Sequence, residues 1–143
     1  LLPYDTSLGE DELITEARVP APADGEGSAY HKLKRKTGDY AMAGVAARVV
    51  LDDDRRIEEA GIGMTAVDIT NARAPEAEDH LVGERPVADL FEEAGELAAE
   101  ASNPESDEHG DAAYKERMVD VLTQRALGDA VERAGVVKRR VTQ

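Results

Sequence analysis

Ten residues constrain the fold most. Met42 to Leu51, MAGVAARVVL, joins small and β-branched side chains with a single charge, Arg48. Such a run reads as a buried central strand, because β-branched side chains pack well on a pleated surface and poorly in a helix. Asp52-Asp53-Asp54-Arg55 follows as a polar turn. Arg56 to Ile69 then reads as the returning strand, so the two runs form an antiparallel hairpin. Gly61 and Gly63 inside the second run predict a bulge or a close backbone approach.

The segments before the hairpin extend the sheet. Glu12 to Pro20 alternates and ends at proline, which predicts a strand. Ala21 to Ser28 holds Pro, Asp and Gly and predicts a loop. Ala29 to Lys36 alternates again. If extended, it places Tyr30, Lys32, Lys34 and Lys36 on one face and His31, Leu33 and Arg35 on the other.

After the hairpin the period changes. Asn71 predicts a cap for a helix over Ala72–Leu81, with Gly83 ending it. Pro86 opens a second helix. Its apolar stripe is Val87, Leu90, Phe91, Ala94, Leu97 and Ala98. Asn103 to Gly110 is a loop. A long helix is expected from Asp111 to Ala134, with Tyr114, Met118, Val121, Leu122, Arg125, Ala126 and Val131 inward. The expectation is an α+β domain: an antiparallel sheet of three to four strands with about three helices on one side. Residues 1–10 read as a connecting segment, 11–135 as the domain and 136–143 as a flexible tail. The opening Leu1-Leu2-Pro3-Tyr4 has neither an initiating Met nor a basic leader, and reads as an internal cut in a longer protein.

Composition narrows the function classes. One Phe and no Trp leave the core to Ala, Val, Leu and Ile. The absence of cysteine excludes disulfides, thiolate metal sites and a cysteine nucleophile within this sequence. No run reaches the ~20 apolar residues of a membrane helix. The 31 acidic against 17 basic residues give a net charge of -14, which repels nucleic acid and anionic membranes. An apolar fraction of 41% with regular patterning predicts folding rather than disorder. The acidity fits a high-salt cytoplasm, where a Debye length of ~3 Å at about 1 M salt screens carboxylate repulsion. Four cations (Lys32, Lys34, Arg35, Lys36) nevertheless sit within five residues.

Several stretches together resemble a known family. They are Asp11–Glu16 with Val19-Pro20, Tyr30–Ala41 (YHKLKRKTGDYA), Gly61–Val67, Ala72–Glu78, Tyr114–Arg117 and Val121–Leu127. Their order and spacing are similar to the C-terminal domain of the FAD-binding (medium) subunit of molybdenum hydroxylases, the carbon monoxide dehydrogenase and xanthine dehydrogenase family. The resemblance implies a flavin-covering domain in an oxidoreductase that is not active alone. Electrons would pass from 2Fe-2S clusters in a small subunit through FAD to an acceptor, and molybdopterin would sit in a large subunit. The partners implied are those two subunits and the N-terminal FAD-binding portion of the same subunit. The glycine-rich loops that hold the FAD pyrophosphate in the family are not found in these residues. Gly25-Glu26-Gly27 is too short and lacks a following helix.

The same resemblance assigns the cofactor-facing residues. Tyr30 takes the place of an aromatic ring near the flavin, and Ile14 that of an aliphatic contact. His31 and Lys32 flank the flavin position, where a cation would favour a reduced, anionic ring. The bare residues leave other readings open. Tyr30 could pack on a helix, Ile14 could be core, and the lysines could guard an edge strand. Asp39 reads as a turn residue. Asp52, Asp53 and Asp54 lack the Gly and distant Glu of a calcium loop. His80 and His109 have no second histidine at ligand spacing and read as surface residues. Arg125 is expected to pair with a carboxylate from its inward position. A reading from another class is a non-catalytic acidic interaction module that does not meet flavin.

Overall fold

The computed structural model describes residues 6–108 and 110–140, the last five as backbone only. The hairpin forms as expected. Strand β2 (Ala43–Leu51) pairs antiparallel with β3 (Ile57–Thr65), with an irregularity between Val50 and Leu51. The turn closes when Asp52 accepts the Arg56 amide at 2.8 Å, and Arg55 takes a left-handed φ of 63°. Strand β1 (Glu26–Leu33) pairs with the other edge of β2, so β2 is central. The two-residue β4 (Ala72–Arg73) completes a four-stranded antiparallel sheet in the order β1-β2-β3-β4.

Helices α1 (Pro75–Leu81), α2 (Ala88–Glu100) and α3 (Ala112–Arg140) cover one face of that sheet. The period-two pattern of β2 and β3 sends Val45, Val49, Ile62 and Met64 into this layer, and the irregularity between Val50 and Leu51 brings Ile57 onto the same face; all are buried. They share one core with Leu81 of α1, with Val119, Leu122, Ala126, Leu127 and Ala130 of α3, and with Ala94 and Ala98 of α2, which packs on the other two helices. With so many alanines, the core gains by bringing backbones together rather than by filling space with rings. Gly27 shows this most sharply. A Cβ there would overlap the Ala130 carbonyl and the Ala134 amide, so β1 lies directly on α3 only because residue 27 has no side chain. Gly95 likewise lets α2 close on Asp120 of α3.

Several expectations need correction. Residues 12–20 form no strand. They are irregular and exposed throughout, because no described strand edge pairs with them. β1 starts at Glu26, inside the segment read as a loop. Ala72 and Arg73 pair with β3 rather than opening a helix, and Pro75 occupies the first turn of α1. The second helix starts at Ala88, and Val87 stays exposed. Gly61 and Gly63 show no close approach: nothing lies within 4 Å of a Cβ built at either. The expected inner face of α3 is met in part: Leu122 and Ala126 are buried and Met118 and Val131 pack on the core, as expected, but the centre of the buried stripe lies elsewhere. Val119, Thr123, Leu127 and Ala130 are buried, while Arg125 is exposed and has no ion pair among the described residues. α3 also runs through Arg140, into the stretch expected to be a tail. Residues 1–5 and 141–143, which hold parts of the expected connecting segment and tail, lie outside the described residues, as does His109.

Two buried charges lock the elements. Glu78 of α1 accepts the Ile62 amide at 2.8 Å and two hydrogen bonds from Arg73, joining α1, β3 and β4. This pairing raises the Arg73 pKa. Buried Lys115 places Nζ 2.7 Å from Asp107 and donates to the Glu105 carbonyl, tying the loop before α3 to its first turns.

Candidate functional site

Among the described residues no helix covers the other face of the sheet. Register fixes what stands there. Tyr30 lies opposite Ala46, Ala46 opposite Gly63, and Gly63 opposite Arg73. The next row out is Ser28, Arg48 and Gly61. The centre of this face therefore has almost no side chains, and its borders have a ring and guanidinium groups. The result is an open concavity of about 630 Å³, whose lining includes Tyr30, Ala46, Gly63, Arg48, Arg73 and Arg133.

Tyr30 is 54% exposed. Its hydroxyl would sit 2.7 Å from a Cβ placed on Gly44, so the ring lies across β2 in space that glycine leaves free. Arg48 bridges Glu26 at 3.0 Å and Glu59 at 2.7 Å across the three strands. The bonds to Glu26 and then Glu59 raise the Arg48 pKa, and the Arg48 hydrogen bond is the main cause that lowers that of Glu26. Arg133 reaches from α3 around the β1 edge to donate to the Ser28 carbonyl at 2.6 Å.

The four residues assigned from the resemblance separate in space. Tyr30 and Lys32 share the open face, two residues apart on β1. Lys32 donates to the Asp39 carbonyl at 2.8 Å. His31 points the opposite way, with Nε2 3.0 Å from Asp129 on α3. Ile14 is 73% exposed on the irregular N-terminal arm.

Asp39 bonds the neighbouring backbone, as expected of a turn residue: Oδ1 accepts the Tyr40 amide at 3.1 Å. The same turn carries Tyr40, 86% exposed, beside the anchored Lys32. Sequence reasoning passed over Tyr40. Its signal is the rarity of aromatic residues, one of which stands two residues after a turn glycine. Asp52 belongs to the hairpin turn, as expected. His80 is half-buried, with Nε2 2.8 Å from Glu93 but not aligned for a hydrogen bond.

Fold and faces define an α+β domain whose sheet is packed on one side and open on the other. Residues 28–130 match the family described as the CO dehydrogenase flavoprotein C-terminal domain. The medium chain of carbon monoxide dehydrogenase from Afipia carboxidovorans is 39% identical over 131 residues, 92% of this chain and 45% of that protein. The nicotine 6-hydroxylase medium subunit of Paenarthrobacter nicotinovorans is 36% identical over 90% of this chain and 44% of its own length. A solved structure of carbon monoxide dehydrogenase from Hydrogenophaga pseudoflava superposes with a TM-score of 0.87 at 40% identity, covering 93% of this chain and 46% of that one. The chain belongs to the CO dehydrogenase flavoprotein C-terminal domain family. It spans about half the length of the curated relatives it matches.

Proposed function

We propose that this chain is the flavin-covering domain of the FAD-containing medium subunit of a molybdenum hydroxylase, with its open sheet face turned toward the cofactor and the rest of that subunit. The observation that carries the reading is the family match over residues 28–130, which includes the β1 face bearing Tyr30 and Lys32. The partners are the N-terminal FAD-binding portion, a molybdopterin subunit and an iron–sulfur subunit. The setting is cytoplasmic. Among the described residues no helix is long and apolar enough to cross a membrane.

The residues present fit one end of FAD only. Gly27 is wedged against α3, so Gly25-Glu26-Gly27 cannot open as a phosphate cradle. The open face offers what a planar ring needs: an exposed tyrosine, a floor of Ala46 and Gly63, and an anchored ammonium. FAD, when bound, supplies the electron-accepting centre. Tyr30 then lies against the ring and excludes water. Lys32 holds positive charge where negative charge develops on reduction. Because His31 is engaged with Asp129, Lys32 is the cation of the pair that this reading uses. Ile14 meets the cofactor from the exposed arm.

Tyr30→Ala in the assembled enzyme tests the reading. Stopped-flow reduction follows iron–sulfur and flavin signals separately. The clusters should reduce as in the wild type while flavin reduction or occupancy falls. Unchanged flavin behaviour would reduce Tyr30 to an ordinary surface ring.

A further inference from the structure

Ion pairing divides the described cations: some meet a carboxylate, while others, Arg125, Arg56, Arg133 and the run at the end of β1 among them, do not. Arg18, Arg48, Arg73 and Lys115 each meet a carboxylate within ion-pair distance. The cluster at the end of β1 does not. Lys32 donates to the Asp39 carbonyl and Arg35 to the Glu108 carbonyl, both at 2.8 Å. A carbonyl oxygen satisfies the hydrogen bond and leaves the net charge in place. Lys34 and Lys36 are exposed and form no ion pair among the described residues. Even counting the carboxylates of Asp39 and Glu108, this tip stays positive in a chain of net charge -14.

The tip is also held in shape. Gly38 takes a φ of 84°, the Asp39 amide donates to the Lys36 carbonyl, and the Met42 amide returns to the Leu33 carbonyl at 2.9 Å. Arg35 ties the tip to the loop before α3. The backbone that carries the cations is therefore fixed before any partner arrives, which lowers the ordering cost of binding.

We infer that the Lys34–Lys36 tip, next to the Lys32 that the proposed function gives to the flavin, is a docking surface for an acidic protein partner. Elsewhere the strongly acidic surface repels such a partner, so the tip both attracts it and fixes its orientation. A phosphate-sized ligand fits less well, because Lys34 and Lys36 are exposed and enclose no pocket. An anionic membrane fits less well too, because a plane pressed on the tip would also meet the acidic surface around it.

Backbone amide NMR of the 143-residue chain, titrated with poly-L-glutamate at low ionic strength, tests this inference. Shift changes should cluster at residues 34–40 and fade toward ~0.5 M salt, where charge interactions are screened within a few ångströms. Lys34→Glu with Lys36→Glu should weaken binding by about tenfold or more. Lys34→Gln with Lys36→Gln should weaken it less, with an unchanged circular dichroism spectrum in both. No binding at low salt, or shifts centred elsewhere, would overturn the proposal. Equal saturable binding of inorganic pyrophosphate would replace it with a small-anion site. Binding to phosphatidylserine vesicles without binding to poly-L-glutamate would replace it with a membrane contact.

Discussion

The two faces of the β-sheet use glycine for opposite ends. On the packed face, Gly27 is a point of contact where α3 occupies the volume a side chain would need. On the open face, Gly61 and Gly63 border empty space, and a Cβ would touch nothing. The first glycine serves folding. The second pair leaves a smooth floor beside Tyr30, which a fold that ended at this sheet has no packing reason to keep. Sequence alone does not separate these roles, because a strand glycine means either a close approach or a gap.

The largest effect expected from this contrast is at Gly27. Gly27→Ala should cost about 3 kcal/mol or more, since the clash is with helix backbone rather than with a movable side chain. Chemical denaturation would measure it, and a stability near wild type would mean that α3 is free to shift away from β1. Glu78→Ala comes next. It leaves the buried Ile62 amide without its carboxylate partner, at about 1–3 kcal/mol. A loss confined to the Arg73 contact would be far smaller, because Arg73 is largely exposed.

Salt should act in the same direction on both faces. The surplus of acidic side chains predicts that the melting temperature rises with KCl, and a flat or falling curve would break the high-salt reading. Gly61→Ala should change stability by no more than about 1 kcal/mol, with a gain if the reduced freedom of the unfolded chain dominates. The smallest effect concerns pH. Arg48 depresses the Glu26 pKa below its ordinary 4.5, so this pair's contribution is present above that value and is lost as pH falls through the folded pKa. Arg48→Gln should therefore lose its stability deficit in acid, and that deficit should stay below about 1 kcal/mol, as for an exposed ion pair.

The parts of this design that sequence reveals follow from side-chain periodicity. β1, β2 and β3 are legible from alternation and β-branching, and α2 from its stripe. β4 is not, because two residues carry no period, and Asn71 before them resembles a cap. Residues 12–20 alternate like a strand, yet alternation says nothing about whether an edge is available for pairing. The face of α3 is legible only in part, through Leu122 and Ala126, because Lys115 and Thr123 are polar but buried, while Val121 lies off the buried stripe. Lys115 is buried because Asp107 and Glu105 satisfy it, a partnership across a loop that spacing does not encode. At the candidate site, strand geometry separates Tyr30 and Lys32 from His31. The glycine floor and exposed Tyr40 emerge only with the register and the turn.

Gly63→Leu offers the most direct test, because it fills the open face without touching the packed one. In the isolated chain the melting temperature should stay close to wild type. In the assembled enzyme the same substitution should lower FAD content or prevent incorporation of the subunit, because the face proposed to receive the cofactor and its neighbours would be blocked. Normal FAD content and assembly alongside a normal melting temperature would show that the open face is simply solvated, and would contradict the assignment of function to it.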